Sequence, residues 1–285
     1  MILPFLTLAA LAGQALADCT RPQLQALTAN YLLAQATGNL SLLSISTTNP
    51  LTYIENDKPV ALTNTSALLA TPLTLKFNLT LHDPLLCASF IEFNAASPST
   101  PYVVLVRLSA APTTNTTALT LTKVDTVVTS PGDWVFNATA HLAYALSESW
   151  SPILASSPLR TPRAALQRAA DAYLDQWFNS TLPVPLGTPC SRLEGGMYTG
   201  ARNASANTCA MPAFPTPVDV KGRRYVVDEE MGSVGVLNGF PFLEATLKPG
   251  EWTPSGNLFR VEGGLVRYIH EVTVCWTRGY PGCGR

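Results

Sequence analysis

The chain repeats itself once, and this internal repeat constrains the fold more than any other feature. The dipeptides Leu-Gln and Tyr-Leu, at residues 24–25 and 31–32, recur 142 residues later at 166–167 and 173–174. Three more matches follow in the same order at offsets between 139 and 145, as expected for a duplication with small loop insertions. They pair residues 53–57 with 192–196, Asp83 with Asp228, and residues 124–127 with 269–272. The sequence therefore predicts two related domains in tandem.

Each half is predicted to be one helix followed by strands, which makes the fold class α+β. The helices begin after a threonine cap candidate with an early proline, at Thr20 with Pro22 and at Thr161 with Pro162. We expect each helix to pack on a curved antiparallel sheet, which leaves a concave, partly apolar cup of the kind that binds ligands. Alternating residues predict the strands, with a hairpin turn at Gly263-Gly264, over residues 73–81, 102–108, 119–128, 224–236 and 258–276.

The first 17 residues predict a signal peptide. They are uncharged and apolar and end in Ala15-Leu16-Ala17, the small-x-small pattern that signal peptidase requires. The run is shorter than the roughly 20 residues of a membrane anchor, and no later stretch is long and apolar enough to span a membrane. We therefore expect a signal peptide at 1–17, a first domain at 18–146, a linker at 147–161 and a second domain at 162–285. The mature protein is expected to be secreted or to stay in the lumen of the secretory pathway.

Glycosylation sequons and cysteines indicate the same compartment. Half of the 14 asparagines stand in Asn-x-Ser/Thr, whereas the content of serine and threonine predicts about 2.5 such sites by chance. Six cysteines predict three disulfides. Among the possible pairings we favour Cys190–Cys209 and Cys275–Cys283, which close short loops, and Cys19–Cys87. The seven sequons are at Asn39, Asn64, Asn78, Asn115, Asn137, Asn179 and Asn203.

Composition and missing motifs exclude several functions. The net charge is −1 and only 13% of residues are charged, so nucleic acid is not an expected partner. The sequence has no Gly-x-Ser-x-Gly elbow, no phosphate-binding loop and no dinucleotide fingerprint. It also has no Cys-x-x-Cys pair, and His82, His141 and His270 are scattered. No metal and no cofactor are therefore predicted.

Seven segments carry a resemblance that covers nearly the whole mature chain. They are DCTR (18–21), TYIENDKP (52–59), GDWVFNAT (132–139), GTPCSRLEGG (187–196), RRYVVDEEMG (223–232), FRVEGG (259–264) and YIHEVTVC (268–275). Together they resemble a family of secreted fungal proteins of unknown function with tandem SnoaL-like domains, also described as ketosteroid-isomerase-like or nuclear transport factor 2-like. The resemblance implies two cone folds. The superfamily contains isomerases, epoxide hydrolases, dehydratases and cyclases, often of natural-product pathways, and many non-catalytic members.

The resemblance implies catalysis without a cofactor. In such enzymes a carboxylate or a histidine in an apolar cup removes a proton, and a tyrosine or a second acid stabilises the oxyanion. The catalytic candidates are His270 with Asp228 and Tyr268, and Asp125 and Asp83 in the first half. Strand alternation places Tyr268 and His270 on one face, which makes His270 a candidate base if that face lines the cup. The competing interpretations are a histidine bonded to a backbone carbonyl, a turn residue for Asp83 and a solvated acidic run for Asp228.

The substrate-binding candidates lie at the best-matched pair of turns. Glu55 and Glu194, with Tyr53 and Arg192 as counterparts, could line the mouth of the cup, although we favour carboxylates that cap backbone amides. The predicted function is an isomerase, cyclase, dehydratase or epoxide-opening enzyme that acts on a small molecule in fungal secondary metabolism. The alternative is a secreted glycoprotein that binds an apolar ligand or a glycan without catalysis. A homodimer is a further expectation, because cone folds often pair through their sheets.

Overall fold

The computed structural model describes residues 19–46, 50–63, 67–99, 101–113, 118–212, 217–241, 251–277, 279 and 283. The predicted signal peptide lies outside these residues. The described part of the chain contains three α-helices and two six-stranded sheets. The helices are α1 (Arg21–Thr37), α2 (Ala138–Ala145) and α3 (Arg163–Gln176).

The two sheets are built in the same way, which confirms the α+β fold class. The first comprises β1 (Thr52–Glu55), β2 (Lys58–Pro59), β3 (Phe77–Asp83), β4 (Ala88–Ala96), β5 (Pro101–Pro112) and β6 (Leu119–Thr129). The second comprises β7 (Leu186–Glu194), β8 (Met197–Tyr198), β9 (Lys221–Asp228), β10 (Ser233–Phe240), β11 (Thr253–Glu262) and β12 (Leu265–Thr273). Their strand orders, β2-β1-β6-β5-β4-β3 and β8-β7-β12-β11-β10-β9, are equivalent.

Two expectations about the strands are wrong. The sheets are not purely antiparallel, because β1 pairs with β6 in parallel and β7 pairs with β12 in parallel. These partners are far apart in the chain, so no tight hairpin has to join them. The run expected as one strand over 224–236 is interrupted by a turn at 229–232, between β9 and β10. The predicted hairpin turn at Gly263 and Gly264 does join β11 to β12, and both glycines have the positive φ that favours glycine.

The two long helices begin differently, although the sequence predicts the same start for both. Thr20 caps α1 in a capping box, in which its side chain accepts from the backbone of Gln23 and the Gln23 side chain accepts from the Thr20 backbone. The expected cap at Thr161 is wrong, because Pro162 occupies the cap position of α3 and makes no side-chain cap. The Thr161 hydroxyl instead donates to the carbonyl of Leu159 and accepts from the N–H of Gly264.

The molecule has four layers in the order helix, sheet, sheet, helix. Helix α1 packs on one face of the first sheet, and α3 packs on one face of the second. The remaining two faces pack against each other in a third apolar cluster. Glycines allow this close approach: a Cβ on Gly235 would lie 2.3 Å from the ring of Phe90, and one on Gly256 would lie 2.7 Å from Leu105. Each sheet is therefore buried on both faces.

The cysteine pairs confirm the predicted connectivity. Cys19 is bonded to Cys87, Cys190 to Cys209 and Cys275 to Cys283. The first bond ties the start of α1 to the loop between β3 and β4.

The sequons that fall within the described residues are all exposed. Asn39, Asn78, Asn137, Asn179 and Asn203 each present their side chains to solvent. Asn64 and Asn115 lie outside the described residues. No described helix combines the length and the apolar character that crossing a membrane requires.

Candidate functional site

A row of polar side chains crosses the helix-facing side of the second sheet. We call it the polar row; its members are Asn238, Asn257, Glu271, Glu194 and Arg192. Asn257 lies opposite Glu271 in the β11–β12 register, and Glu271 lies beside Glu194 in the β12–β7 register. Asn238 donates to the Asn257 carboxamide oxygen at 2.9 Å. Apolar core residues from α3 and from the same strands surround the polar row.

Glu271 is the buried acid of the polar row. Its carboxylate oxygens accept from Asn257 at 3.3 Å and from the Thr273 hydroxyl at 3.4 Å. Burial and the neighbouring carboxylate of Glu194 raise the pKa of Glu271 to about 8, against the lowering effect of Arg192 and the two hydrogen bonds. At neutral pH this side chain is therefore largely a neutral carboxylic acid that can donate a proton.

Arg192 binds the second carboxylate of the row. Its Nη1 lies 2.6 Å from Glu194 Oε1 and donates to the hydroxyl of Tyr173 on α3 at 3.4 Å. Burial by itself would lower the pKa of Arg192, but Tyr173, Glu194 and Glu271 outweigh it and raise the value. Burial also raises the pKa of Tyr173, so that its hydroxyl stays protonated. The substrate-binding candidates Arg192 and Glu194 thus line the helix-facing side together.

Among the described residues of the first half, no equivalent of this acid pair is present. Thr126 occupies the position of Glu271, because it lies beside Glu55 in the β6–β1 register as Glu271 lies beside Glu194. The other two candidates, Tyr53 and Glu55, bind each other: the Tyr53 hydroxyl donates to Glu55 Oε1 at 2.7 Å. The same oxygen accepts from the backbone N–H of Leu68 at 2.5 Å. Glu55 therefore caps a backbone amide, which is the interpretation favoured from the sequence.

His270 lies on the opposite face of β12, where the two sheets meet. The condition for its role as a base does not hold, because the face of Tyr268 and His270 packs against the first sheet and not against α3. His270 is 1% exposed. Its Nδ1 lies 2.9 Å from the carboxylate of Glu92 on β4, and its Nε2 lies 2.6 Å from Glu148 Oε2. Tyr268 packs on Trp150 with ring centroids 5.6 Å apart.

The two carboxylates hold His270 in its charged form. Burial would lower the pKa of this histidine, but Glu92 and Glu148 outweigh burial and raise the value to about 10. Burial would likewise raise the pKa of Glu92, and His270 and His141 lower it instead. Both ring nitrogens of His270 are bound by carboxylates, so its contacts are those of an ion pair between the two halves, and its role as a general base stays a prediction.

A second histidine reaches the same place from α2. His141 is fully buried, and its Nε2 lies 3.4 Å from Glu92 Oε1. We call Glu92, His141, His270 and Glu148 the interface cluster. One donor atom from each of Glu92, His141 and His270 lies within 4.8 Å of the others, the spacing of groups that could hold a metal ion. The scattered positions of the histidines in the sequence give no sign of this convergence.

Asp228 and Asp83 bind the starts of the opposite helices. Asp83 accepts from both terminal nitrogens of Arg163 at 2.8 and 2.7 Å, and Asp228 accepts from Arg21 at 2.8 Å. Each also accepts from a backbone N–H of the other half, Asp83 from Val227 and Asp228 from His82. The aspartates are therefore reciprocal ties between the halves. Because β10 and β11 separate β9 from β12, Asp228 lies roughly 14 Å from His270 and does not share a site with it.

The Asp125 carboxylate is also ion-paired with basic side chains. Its Oδ2 lies 3.0 Å from Lys123 Nζ and 2.9 Å from Arg224 Nε of the second half. Asp125 and His270 are equivalent positions, and each binds an opposite charge supplied by the other half. Asp125, Asp83 and Asp228 each bind an arginine of the other half, so their contacts are structural ones, and the catalytic role predicted for them stays a prediction.

Sequence reasoning misses the residues that matter most in both places. Glu271 and Asn257 give no clear signal, because β11 and β12 each carry polar groups on both faces. Glu92 has a usable signal, because an acid in the otherwise apolar run Phe90–Phe93 must find a partner when that strand is buried.

The second half is also the part of the chain that matches a known family. The family model described as "Domain of unknown function (DUF8021)" matches residues 159–273, which is less than half of the chain and includes the whole polar row. A search of curated proteins gives no match.

Proposed function

We propose that this chain is a cofactor-independent enzyme that moves protons on a small, largely apolar molecule at the polar row of the second half. The observation that carries the proposal is the buried pair of acids, Glu271 and Glu194, which the first half replaces with Thr126 and an amide-capping Glu55. A duplicated fold that keeps such a pair in one half alone fits one working half and one supporting half.

The two acids differ in a way that suits general acid–base catalysis. Glu271 is held neutral, so it can protonate a substrate oxygen, and the neighbouring Glu194 carboxylate, which is ion-paired with Arg192, is assigned the role of base. Pairs of carboxyl groups in unlike environments are how enzymes obtain an acid and a base at one pH. Arg192 and the Tyr173 hydroxyl stabilise negative charge that develops on the substrate. Isomerisation, cyclisation and dehydration can proceed with these groups alone, and epoxide opening needs water as the nucleophile in addition.

The setting of this activity is the secretory pathway. The predicted signal peptide, the exposed sequons and the three disulfides support a secreted glycoprotein. With the resemblance of both halves to SnoaL-like cone folds, the proposed substrate is an intermediate of fungal secondary metabolism.

Metabolite profiling tests the proposal although the substrate is not identified. A strain of the source organism that lacks the gene should accumulate one small molecule, and the wild-type gene should remove it. Glu271→Gln keeps the shape of the side chain but removes its acidic proton, so it should fail to restore the profile. Glu55→Gln, the matched change in the first half, should restore it. Full restoration by Glu271→Gln would overturn the assignment.

The second candidate is a glycoprotein that binds an apolar ligand or a glycan without catalysis. The exposure of all five described sequons favours it, because a heavily glycosylated surface suits an extracellular binding protein. An unchanged metabolite profile in the deletion strain would favour this candidate over the enzyme.

A further inference from the structure

The interface cluster brings one carboxylate and two imidazoles to one point between the halves. Glu92 comes from β4 in the first sheet, His270 from β12 in the second, and His141 from α2, which follows the first sheet in the chain. We propose that Glu92, His141 and His270 bind a divalent first-row transition-metal ion that joins the two halves. The cluster lies on the opposite face of the second sheet from the polar row, so this inference does not depend on the proposed function.

The spacing of the donor atoms suits such an ion. Glu92 Oε1 lies 2.9 Å from His270 Nδ1 and 3.4 Å from His141 Nε2. Ligands at about 2.0–2.2 Å from an ion in tetrahedral or octahedral geometry lie roughly 3.0–3.5 Å from one another. Small side-chain shifts would bring all three donors onto one ion.

His141 carries the second observation that indicates a ligand. Its side chain is 0% exposed, and its Nε2 makes no hydrogen bond to the described residues while it faces Glu92. A buried polar atom without a hydrogen bond needs a reason in a native fold. Helix α2 fixes this ring in place, because Asn137 caps the helix and Asn94 of β4 donates to the carbonyl of Ala138. The imidazole is thus held toward the cluster.

His270 has the outer contact of a metal ligand. A ligating histidine generally gives its other ring nitrogen to a carboxylate, which fixes the ring and its tautomer. Glu148 Oε2 lies 2.6 Å from His270 Nε2 in that position, and it also accepts from the Trp150 indole at 3.1 Å. Glu148 is therefore a positioning residue.

Formal charge supports a divalent ion. Two buried carboxylates, Glu92 and Glu148, meet two histidines, and in the described part of the chain neither carboxylate is ion-paired with a lysine or an arginine. Metal binding releases the Nδ1 proton of His270 to solvent, and a divalent ion with two neutral imidazoles then balances the two carboxylates. Two imidazoles and one carboxylate is a donor set used by both Zn²⁺ and Fe²⁺, and we take Zn²⁺ as the probe.

The ion must enter before the halves close, because every ligand is buried. The test therefore uses the full mature chain without a histidine tag, unfolded in denaturant and chelator with its disulfides intact, then refolded with or without Zn²⁺. We expect one tightly held Zn²⁺ per chain. We also expect a rise in Tm of about 5 °C or more when free Zn²⁺ reaches 100 times its Kd. A wild-type chain that refolds without holding Zn²⁺ and without a shift in Tm overturns the proposal.

The chain has only three histidines, which gives a sharp control. His82→Asn removes the buried histidine that lies outside the cluster and should keep one Zn²⁺ per chain. X-ray absorption of this variant should show two imidazoles and one carboxylate, and the imidazoles can belong only to His141 and His270. Fewer than two imidazoles would overturn the proposal, and this measurement does not depend on whether cluster variants fold.

Variants of the interface cluster distinguish the proposed ligands from the positioning residue by how much Zn²⁺ binding each one loses. Glu92→Gln, His141→Asn and His270→Asn should each lose stoichiometric Zn²⁺. Glu148→Gln should keep the ion but weaken its affinity about 10- to 100-fold, as expected for a positioning residue. Folded ligand variants that bind Zn²⁺ as tightly as the wild type would place the ion elsewhere and contradict the proposal.

Discussion

Glu271 and Thr126 stand at the same place in the two sheets, and this single difference separates the halves chemically. The carboxyl group of Glu271 is buried beside Glu194, and its raised pKa follows from that position. Its hydrogen bonds come from Asn257 and Thr273, which only partly offset the loss of water. A buried acid of this kind costs stability when it ionises, and functional sites are where such costs are found.

The pH dependence of unfolding measures that cost. A carboxyl with a higher pKa in the folded chain than in the unfolded chain stabilises the fold at low pH, and this contribution is lost as pH rises. For Glu271 the stability contributed by the neutral carboxyl is lost as pH rises from the ordinary pKa of 4.5 to the raised value of about 8. The total loss in the free energy of unfolding is on the order of a few kcal/mol. Urea unfolding between pH 4 and 9 should therefore show a smaller fall in stability for Glu271→Gln than for the wild type. Parallel curves for the two proteins would contradict a buried acid here, and Glu230→Gln, at a half-exposed site, is the surface control.

The elements that meet at the edge of the two sheets hold the halves together by exchanging charges. The first residue of each long helix is an arginine, and each binds an aspartate at the end of the other half's edge strand. The aspartates are also bonded to backbone amides across the same boundary. Polar ties of this kind fix how the two layers are placed, because a misplaced layer would leave a buried carboxylate unpaired.

Substitution of Arg163 measures how much its ion pair with Asp83 contributes to the free energy of unfolding. Arg163→Ala leaves Asp83, which is fully buried, with backbone amides alone. Because Arg163 is itself 27% exposed, we expect a loss of about 2–3 kcal/mol in the free energy of unfolding, below the range for a pair buried on both sides. Lys221→Ala removes a partner from an exposed pair with Asp219 and should change stability by less than about 0.5 kcal/mol. Equal effects of the two substitutions in chemical denaturation would refute the structural role of Asp83.

The elements show where sequence reasoning succeeds and where it stops. Helix starts, the repeat and the disulfides follow from local patterns, and the structure has them with one cap misplaced. The face of β12 that packs on its helix could not be inferred, because the sheet is buried on both sides. One face of β12 carries Tyr268 and His270, and the other carries Ile269 and Glu271. Both faces therefore combine polar and apolar side chains. Periodicity finds the buried face only when the other face meets water.

At the scale of the whole molecule, the two halves differ where they touch. Phe90 packs on Gly235 and Leu105 packs on Gly256, and the repeat makes each of these a pair of equivalent positions. Two large side chains could not occupy the same space between the sheets, so one copy has a large residue and the other has none. The halves therefore fit each other as complementary partners and no longer as identical ones.

Moving the large side chain from position 90 to position 235 tests this complementarity. Gly235→Phe should cost roughly 1–3 kcal/mol or more, because it inserts bulk into a space that is already filled. Phe90→Ala should cost roughly 3–5 kcal/mol through the cavity it leaves. The double variant should recover at least about 1 kcal/mol relative to the sum of the two, measured by a double-mutant cycle in urea. Strict additivity would show that the two positions do not share one space.

The central claim is that the second half keeps a neutral carboxylic acid on its helix-facing side. The most direct measurement is a pH titration by nuclear magnetic resonance of the full mature chain with ¹³C-labelled glutamate carboxyls. We predict one glutamate that titrates near pH 8 and is absent from the spectrum of Glu271→Gln. A spectrum in which every glutamate titrates below about pH 5, near the ordinary range of this side chain, would contradict the account.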